Sequence, residues 1–238
     1  MILKCIGSGS SGNCYLLEND TECLVIEAGV PFKEVKKALN FNISKIVGVI
    51  CTHSHADHSG RAYQYESVGI PVFKPYEQTT RLAYLGGFEI TAFDLTDRHG
   101  RFVHSNSDGS ECPCYGFYIA HPEMGSMVYA TDCELIKWRF GSNVNHILVE
   151  ANYAADLIDP DAANRAHVLT GHLELQTTLD FLRANNSPEL RTVTLCHLSE
   201  CNSDEIRFMT EAEKAVDPGC RVAVAKKGIS VDVSLVPF

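Results

Sequence analysis

Short apolar runs bounded by glycine, proline and polar residues recur along the chain, at the length typical of strands. The run at 46–51 contains no charged residue and shows no apolar–polar alternation, which indicates a strand covered on both faces. The pattern predicts strands at residues 1–6, 14–18, 24–27, 46–51, 70–73, 88–93, 101–104, 115–120, 127–131, 147–150 and 192–196, with further strand structure at 222–233.

Apolar residues spaced three and four positions apart predict the helices. These lie at residues 32–39, 61–68, 79–85, 161–168, 174–184 and 206–216, with a short helical piece around Trp138. Strands come early, helices follow them, and a second set of strands comes later, which predicts an α+β fold of two sheets stacked between helix layers. The sequence shows no internal repeat and no linker, so we expect residues 1–238 to form a single domain.

Four potential metal ligands follow the 46–51 strand, and they are His53, His55, Asp57 and His58. His53 and His55 are two positions apart, so an extended backbone points both imidazoles to the same side. Asp57 and His58 lie on the turn into the next helix, within reach of a second point nearby. A solvated histidine-rich loop is the simpler alternative, but this segment directly follows a buried strand. Imidazole and carboxylate groups facing two adjacent points suit a pair of divalent ions such as zinc.

The composition is that of an ordinary globular protein, with 45% hydrophobic and 21% charged residues among 238. No apolar run approaches the ~20 residues of a membrane span, and the first residues do not resemble a signal peptide. We therefore expect a cytoplasmic protein with no membrane partner. The ten cysteines then read as buried free thiols. Cys112 and Cys114 are spaced like a metal-binding pair, but a structural or incidental role is favoured.

The net charge of −10 argues against a protein that binds along an extended duplex, because phosphate neutralisation needs a stripe of basic residues. Lysine and arginine are scattered, with the short pairs at 36–37 and 226–227. Bound metal ions would still give an anionic substrate a local cationic target.

A glycine- and serine-rich segment at 7–13 separates the first two predicted strands. It is either a flexible linker or a tight loop, and the strands on both sides favour the loop. The hydroxyl groups of Ser8, Ser10 and Ser11, with the backbone amides between them, form a candidate phosphate-binding nest.

The sequence HSHADH at 53–58 resembles the HxHxDH motif of the metallo-β-lactamase superfamily. That resemblance implies a four-layer αββα sandwich and two divalent metal ions, with zinc favoured and manganese left open. It also implies later ligands at strand ends, where this chain offers His104, Asp132 and His197. The implied first metal site is His53, His55 and His104; the second is Asp57, His58 and His197; Asp132 bridges the two.

Each later ligand has an alternative interpretation. His104 competes with His99 and His121 for the same role, and its place at the end of a predicted strand favours it. Asp132 is also a plausible helix N-cap. A single histidine such as His197 is more often a hydrogen-bonded core residue, but here it follows an apolar strand within the set of ligands.

Within the superfamily, the closest resemblance is to the RNase Z-like and YycJ-like (WalJ) branch. It is carried by GSGSSGNCYLL, VEANY and GHL followed by LCHLSECN, which together span nearly the whole chain. The resemblance implies that His172 is a catalytic residue beside the leaving group, although a histidine at a helix start can also cap or pack. Glu27 stands where the family generally has aspartate, a residue that hydrogen-bonds metal ligands.

The implied reaction is hydrolysis of a phosphodiester by a hydroxide held between the metals, with Asp57 orienting that nucleophile and His172 protonating the leaving group. We expect a nuclease acting on DNA or RNA ends. The alternatives are a phosphodiesterase for small or cyclic nucleotides, a lactone or thioester hydrolase, and a metal-binding regulator without catalysis. The sequence leaves monomer and homodimer equally open.

Overall fold

The computed structural model of the protein describes residues 1–106, 108–161 and 165–235. Fifteen strands are found in this part of the chain. They are β1 (Ile2–Gly7), β2 (Cys14–Glu18), β3 (Cys23–Ile26), β4 (Ile46–Ile50), β5 (Val72–Phe73), β6 (Leu82–Leu85), β7 (Phe88–Asp94), β8 (His104–Ser105), β9 (Glu111–Cys112), β10 (Tyr115–His121), β11 (Gly125–Ala130), β12 (His146–Glu150), β13 (Thr192–Cys196), β14 (Arg221–Val224) and β15 (Ser230–Asp232).

The described helices are fewer than the strands. They are α1 (Phe32–Ala38), α2 (Ala56–Ser59), α3 (Ala62–Glu66), α4 (Arg165–Gly171), α5 (Leu175–Asn185) and α6 (Glu205–Ala215), with single 3₁₀ turns at Ile43–Lys45, Gly141–Asn143 and Ala155–Leu157. None of the described helices is long and apolar enough to traverse a lipid bilayer.

Two mixed sheets form the centre of the molecule. The first has the strand order β15-β1-β2-β3-β4-β5 and the second β14-β13-β12-β11-β10-β7-β6, while β8 and β9 form a separate hairpin. Strands β11, β12, β13 and β14 are parallel to one another, as are β3, β4 and β5. Since parallel strands end at the same edge of a sheet, the residues that follow β11, β12 and β13 meet there.

Three apolar clusters fix the order of the layers. One lies between the two sheets and includes Tyr15, Phe117 and Tyr129. A second packs α1 and α3 against the first sheet, and a third packs α5 and α6 against the second. The predicted α+β architecture with four layers is confirmed. We propose that residues 1–238 are one domain, because both sheets bury side chains in a shared cluster.

The helix predicted at 79–85 is wrong. Residues Leu82–Leu85 form strand β6, which pairs with β7 through a tight turn at Gly86 and Gly87. Gly86 has a φ of 58°, a left-handed conformation that glycine adopts at low cost. Adjacent glycines between two apolar runs are a hairpin signal, and here they decide the structure over the helical spacing.

Three other predictions need correction. Trp138 lies in a loop that precedes the 3₁₀ turn at Gly141–Asn143, so the helical piece around it is wrong. The strand predicted at 101–104 is reduced to His104–Ser105. Residues 222–233 form two strands in different sheets, β14 and β15.

The helix predicted at 161–168 begins at Arg165 as α4, and its residues 162–164 lie outside the described residues.

Candidate active site

The turn after β4 carries the first group of candidate ligands. His53 is fully buried, and Thr52 Oγ1 lies 2.9 Å from its Nδ1. The ring centroids of His53 and His55 are 4.6 Å apart, and those of His53 and His58 are 4.3 Å apart. Helix α2 begins directly after His55 and places His58 in the interior. The bend at residues 52–54 and the helical turn that follows therefore direct three imidazoles to one region.

Asp132 and His197 follow β11 and β13 and join this region. Asp132 Oδ2 lies 2.9 Å from His58 Nε2 and 4.0 Å from His197 Nε2. His197 Nε2 lies 3.7 Å from Asp57 Oδ2. Both Asp132 and His197 have a φ of 53°, which is uncommon for residues with a side chain. This backbone turn at each strand end aims the side chain at the cluster instead of along the sheet.

His104 completes a group of three histidines. Its ring centroid lies 5.6 Å from that of His53 and 5.1 Å from that of His55, and its Nε2 is 2.9 Å from the carbonyl oxygen of Gly171. His121 instead contacts Glu22 at 3.0 Å, and His99 is exposed. Of these histidines, His104 is the one with rings of the cluster around it.

Glu27 lies beneath the cluster, fully buried. Its Oε1 accepts hydrogen bonds from Thr52 Oγ1 at 2.6 Å and Tyr129 Oη at 3.2 Å, and lies 3.3 Å from His58 Nδ1. A φ of 67° at Glu27 turns this side chain toward His58. The longer glutamate thus reaches a histidine of the cluster.

His172 lies at the boundary between the cluster and a cleft. Its Nδ1 is 2.8 Å from Glu150 Oε1 and 3.1 Å from Asp132 Oδ1, and its ring centroid is 5.4 Å from that of His197. We call the adjoining cavity of about 690 Å³ the His172 cleft. It is lined by Ser8, Gly9, Ser10, Ser11, Asn152, Asp159, Val168, His172, Leu198, Ser199, Glu200, Cys201 and Asn202.

Glu150 was not identified as a site residue from the sequence, although it contacts several side chains and backbone groups of the cluster. Its Oε1 also lies 3.1 Å from His197 Nδ1, and its Oε2 accepts hydrogen bonds from the backbone N–H of Asp132 and Leu173. The available signal was a buried strand ending in an acidic residue, as in HILVE. A carboxylate at such a position needs polar partners, because isolated burial of its charge is costly.

Two asparagines were also missed. Asn13 Nδ2 lies 3.0 Å from His58 Nε2, while Asn13 Oδ1 accepts from Gly9 N–H at 2.8 Å. Asn152 Nδ2 donates to the carbonyl oxygen of His197 at 2.8 Å. Both amides hold cluster histidines through contacts between distant parts of the chain, and nothing in their own neighbourhood in sequence marks that role.

Ser8 occupies the inner end of the glycine- and serine-rich loop. Its Oγ accepts a hydrogen bond from His197 N–H at 2.9 Å and lies 2.9 Å from Tyr15 Oη. Ser10 and Ser11 are exposed and line the His172 cleft. The loop between β1 and β2 is therefore a tight loop beside the cluster, as expected.

A second cavity adjoins His104, and we call it the His104 cleft, with a volume of about 550 Å³. Its lining comprises Asp97, Arg98, His99, Arg101, Phe102, Val103, His104, Ser105, Gly109, Glu111, Glu134 and Thr170. The cysteine pair lies near this side of the cluster, with Cys112 Sγ 3.2 Å from Ser54 Oγ and Cys114 Sγ 3.7 Å from His53 Nδ1. All ten cysteines are free.

Burial and charge pull the pKa values of the cluster apart. Burial lowers the pKa of His53 well below its usual value, and neighbouring histidines add to this. Burial would also lower the pKa of His197, but Asp132 and Asp57 outweigh it and raise the pKa to about 9. Burial opposes ionisation of Asp132, yet His197 and His58 hold its pKa well below the usual range.

The donor atoms fit divalent cations. Nε2 of His53 and Nε2 of His197 are buried and have no hydrogen-bond partner in the described part of the chain, which is costly unless an ion binds there. Three sets of side chains each bring one ligand atom within 4.8 Å of the others. The sets are His53, His58 and Asp132; Asp57, His58 and His197; and Asp132, Glu150, His172 and His197.

Comparison with known proteins agrees with this geometry. Residues 7–111 match the family model described as the metallo-beta-lactamase superfamily, and they include the 53–58 segment and His104. This part of the chain is therefore similar to the metallo-beta-lactamase superfamily. Members of this superfamily typically bind divalent metals, and the cluster described above is a candidate site for them.

The chain is also similar to individual proteins over nearly its whole length. It is 24% identical to exodeoxyribonuclease WalJ of Streptococcus pneumoniae, over 95% of this chain and 90% of that protein. The fold is similar to that of YhfI from Bacillus subtilis, with a TM-score of 0.65, 16% identity, and coverage of 97% of this chain and 98% of that one. It is also similar to the short form of human tRNase Z, with a TM-score of 0.60, 13% identity, and coverage of 99% and 100%. The four-layer fold implied by the motif is confirmed.

Proposed function

We propose that the protein is a dinuclear metal-dependent phosphodiester hydrolase that cleaves nucleic acid at its ends. The observation that carries the proposal is the position of His172. This histidine contacts Asp132 and Glu150 in the cluster and at the same time lines a cleft large enough for a nucleotide. A proton donor between a candidate metal pair and an open cleft suits cleavage of a phosphate ester.

We assign His53, His55 and His104 to one metal ion and Asp57, His58 and His197 to the other, with Asp132 shared. Asp132 groups with His53 of the first set and lies 2.9 Å from His58 and 4.0 Å from His197 of the second set, which supports the bridging role. Zinc is favoured by the number of imidazoles, and the carboxylates leave manganese open. Glu27 and Asn13 would hold His58 in place through the contacts described above.

Such a metal pair, when bound, supplies a water of lowered pKa and positive charge opposite the phosphate oxygens. The chain itself supplies the proton. Burial would lower the pKa of His172, but the carboxylates of Glu150 and Asp132 outweigh it and raise that pKa to about 10. These carboxylates favour the protonated imidazole, in which Nδ1 donates to Glu150, and a protonated His172 suits transfer of a proton to the departing alkoxide. Asp57, partly exposed at the rim, would orient the nucleophile.

Nucleic acid ends are the proposed substrate because the 24% identity to the exodeoxyribonuclease WalJ covers nearly the full length of both chains. Ser8, Ser10 and Ser11 are proposed to bind a phosphate of that substrate, since Ser10 and Ser11 lie in the cleft beside His172. None of these three serines carries a charge, so they would bind the phosphate through hydrogen bonds.

Elemental analysis of the purified protein, combined with a substrate panel, tests the proposal. The panel contains end-labelled single-stranded DNA, the same RNA sequence, a cyclic nucleotide, and a lactone. We expect about two divalent ions per chain and turnover of the DNA or RNA. Turnover of the cyclic nucleotide alone would replace the nuclease by a small-nucleotide phosphodiesterase. Bound metal without any turnover would indicate a regulator.

The change His172→Ala tests the proton donor. We expect unchanged metal content and a roughly 10²–10⁴-fold lower turnover of DNA, the range for a lost general acid. Bis(p-nitrophenyl) phosphate serves as the control substrate, because its leaving group is a weak base that needs no proton. Its turnover should fall far less than that of DNA, and an equal loss on both substrates would remove His172 from this role.

A further inference from the structure

An aromatic groove lies on the outer face of the second sheet, away from the cluster of candidate ligands. It has a volume of about 390 Å³ and is lined by Arg81, Thr91, Ala92, Phe93, Asp94, Tyr118, Trp138 and Phe140. We call these residues the aromatic groove. Phe140 at one side of the groove contacts Phe181 of helix α5, and β7 and β10 lie between β6 and the helix-covered strands.

The aromatic side chains of the groove pack against one another, and one of them, Trp138, is exposed. The ring centroid of Phe93 lies 5.8 Å from that of Trp138 and 5.2 Å from that of Phe140. Tyr118 stacks on Phe140 at 6.0 Å with an interplanar angle of 16°. Trp138 is 47% exposed, and its indole N–H donates to the carbonyl oxygen of Asp94 at 2.9 Å. The indole ring is thus fixed in orientation while much of its surface faces solvent.

Basic residues lie next to this exposed ring in sequence and on the far side of the groove. Lys137 and Arg139 flank Trp138 in sequence and are exposed, and Arg81 lines the opposite part of the groove. The guanidinium of Arg81 lies 4.3 Å from the ring centroid of Tyr115 and donates to Tyr115 Oη. Asp94 is the single carboxylate among the lining residues and lies 3.9 Å from Arg81 Nε, so it offsets the charge of Arg81 and the local excess comes from Lys137 and Arg139. In a chain with a net charge of −10, this local excess of positive charge is suited to a polyanion.

Short chain segments and one backbone hydrogen bond connect the surroundings of the aromatic groove to the candidate active site. Lys137 Nζ donates to Thr96 Oγ1 at 3.1 Å, and the next residue, Asp97, lines the His104 cleft. Glu134 lines the same cleft four residues before Trp138. Tyr115 N–H also donates to the carbonyl oxygen of Thr52, the residue before His53. The groove and the cluster therefore lie toward the same end of β7 and β10.

We propose that the aromatic groove binds the bases of single-stranded nucleic acid, with Trp138 as the stacking residue and Lys137, Arg139 and Arg81 as phosphate contacts. Aromatic rings interleaved with basic side chains bind single strands in this way, because every base offers a face for stacking. A duplex would not fit this role, since its bases are already stacked. The inference rests on the proposed function, because the single strand bound in the groove would be the part of the substrate that extends from the cleavage site.

Trp138 is the one tryptophan of the sequence, so the intrinsic fluorescence of the protein reports on this groove. A phosphorothioate oligothymidylate, which resists hydrolysis, should quench the fluorescence on titration into the metal-loaded protein. Trp138→Ala, followed by anisotropy of a labelled oligonucleotide, should weaken binding about tenfold, within the range for one stacked base. Trp138→Phe should restore most of the affinity. The matched control is Tyr84→Ala, an exposed aromatic residue outside the groove, which should bind as the wild type does.

The charged contacts have a separate readout. Replacement of Lys137 and Arg139 by glutamine should reduce the slope of log K against log salt by about 1.4, or ~0.7 for each lost phosphate contact. In kinetics, Trp138→Ala should raise KM for a long single strand much more than for a dinucleotide. Oligomers of uridine and thymidine distinguish RNA from DNA as the preferred strand.

Failure of this inference is distinguishable from failure of the proposed function. Quenching by an oligonucleotide without any phosphodiester turnover would leave the groove assignment in place and refute the enzyme. Turnover of long strands with unchanged fluorescence and unchanged KM in Trp138→Ala would refute the groove. Sedimentation showing a dimer that is lost in Trp138→Ala would assign the groove to a second copy of this chain instead, and would also refute it.

Discussion

At the scale of single residues, Glu150 connects several parts of the candidate site. It is fully buried, and its two oxygens contact His172, His197 and the backbone N–H groups of Asp132 and Leu173. One negative charge therefore fixes the orientation of two imidazoles and the position of a strand end. A carboxylate with four donors around it stays ionised despite burial, and His172 accordingly lowers the pKa of Glu150 against the effect of burial.

The change Glu150→Gln should lower metal affinity and turnover by roughly 10–100-fold each, the range found for residues that orient metal ligands. The amide can still accept the backbone hydrogen bonds with its oxygen, but its NH₂ group then faces the Nδ1 atoms of the two histidines. Isothermal titration with zinc and DNA turnover measure the two effects. Glu213→Gln, on the exposed face of α6, is the control and should change neither quantity. Wild-type zinc affinity and turnover in Glu150→Gln would contradict the role.

The sequence predicts the residues that carry a recognisable motif and misses those that support them. His53, His55, Asp57 and His58 are adjacent in sequence, so their convergence follows from strand and turn geometry. Glu150, Asn13 and Asn152 contact histidines 22 to 47 positions away, and such pairings appear only once the strands are placed. The left-handed backbone at Glu27, Asp132 and His197 was equally unpredictable, because nothing local demands it.

At the scale of elements, the turn between β3 and α1 must pass very close to the turn that carries the ligands. A Cβ atom on Gly29 would lie 1.8 Å from the carbonyl oxygen of Asp57 and 2.6 Å from the backbone nitrogen of Asn13. Both contacts are with backbone atoms, which cannot move without displacing His58 and Asn13. Glycine at this position is thus a condition for the close approach of the two turns.

Accordingly, Gly29→Ala should destabilise the fold by an amount at the upper end of the roughly 1–3 kcal/mol found for overpacking. It should also weaken metal binding, since the ligand turn is displaced. Urea denaturation and zinc titration measure these effects. Gly219→Ala is the matched control, because a Cβ at Gly219 meets no atom within 4 Å. Equal stability of the two variants would show that the ligand turn moves freely.

Strand β12 begins with a buried histidine that makes stability depend on pH. His146 Nδ1 lies 2.8 Å from Thr192 Oγ1, its Nε2 lies 3.1 Å from the carbonyl oxygen of Met124, and burial lowers its pKa from 6.5 to about 4. The folded pKa is below the unfolded one, so the unfolded chain takes up the proton first as the pH falls. His146 therefore removes stability between pH 6.5 and 4 and contributes no pH dependence above that window.

From these two pKa values, His146 should account for about 2 kcal/mol of stability lost between pH 8 and pH 5. Chemical denaturation at both values measures the change in the wild type and in His146→Gln. The variant should lose about 2 kcal/mol less across this range, whatever its stability at pH 8. The same pH dependence in both proteins would contradict the assignment.

The β6–β7 hairpin shows where local pattern reasoning fails. Residues Leu82–Leu85 alternate between exposed and less exposed positions as a strand does, yet their apolar spacing also suits one turn of helix. Four residues are too few to separate the two periods. The long runs, by contrast, gave β10, β11, β12 and β13 nearly to the residue. In these segments, the length of an apolar run predicted the secondary structure more reliably than the spacing of apolar residues.

At the scale of the whole molecule, the candidate ligands come from both sheets and hold them together. His53 and His58 follow β4 of the first sheet, while Asp132 and His197 follow β11 and β13 of the second. A cation bound by both groups would join the two halves of the sandwich. The chain has a net charge of −10, but two local features bear on the binding of an anionic substrate. They are the candidate metal site and the basic residues Lys137 and Arg139 beside Trp138.

Metal removal should therefore lower the melting temperature of the whole protein and not of one part. At zinc concentrations 100 times the dissociation constant, the stabilisation is about 2.7 kcal/mol, which corresponds to roughly 5–10 °C for a chain of this size. Calorimetry with added zinc and with chelator measures the shift. His197→Ala should show a much smaller difference between the two conditions. An identical melting temperature with zinc and with chelator would exclude a shared ion.

The first sheet is completed by its most distant strand, since β15 (Ser230–Asp232) pairs with β1 at residues 2–4. During synthesis, the outer edge of β1 therefore stays uncovered until residues 230–232 have been made. His197 also leaves the ribosome long after His53. A nascent chain halted midway would expose an unpaired strand edge and would lack some of the candidate metal ligands. The first sheet and the candidate site can therefore be completed only after the later strands have been synthesised.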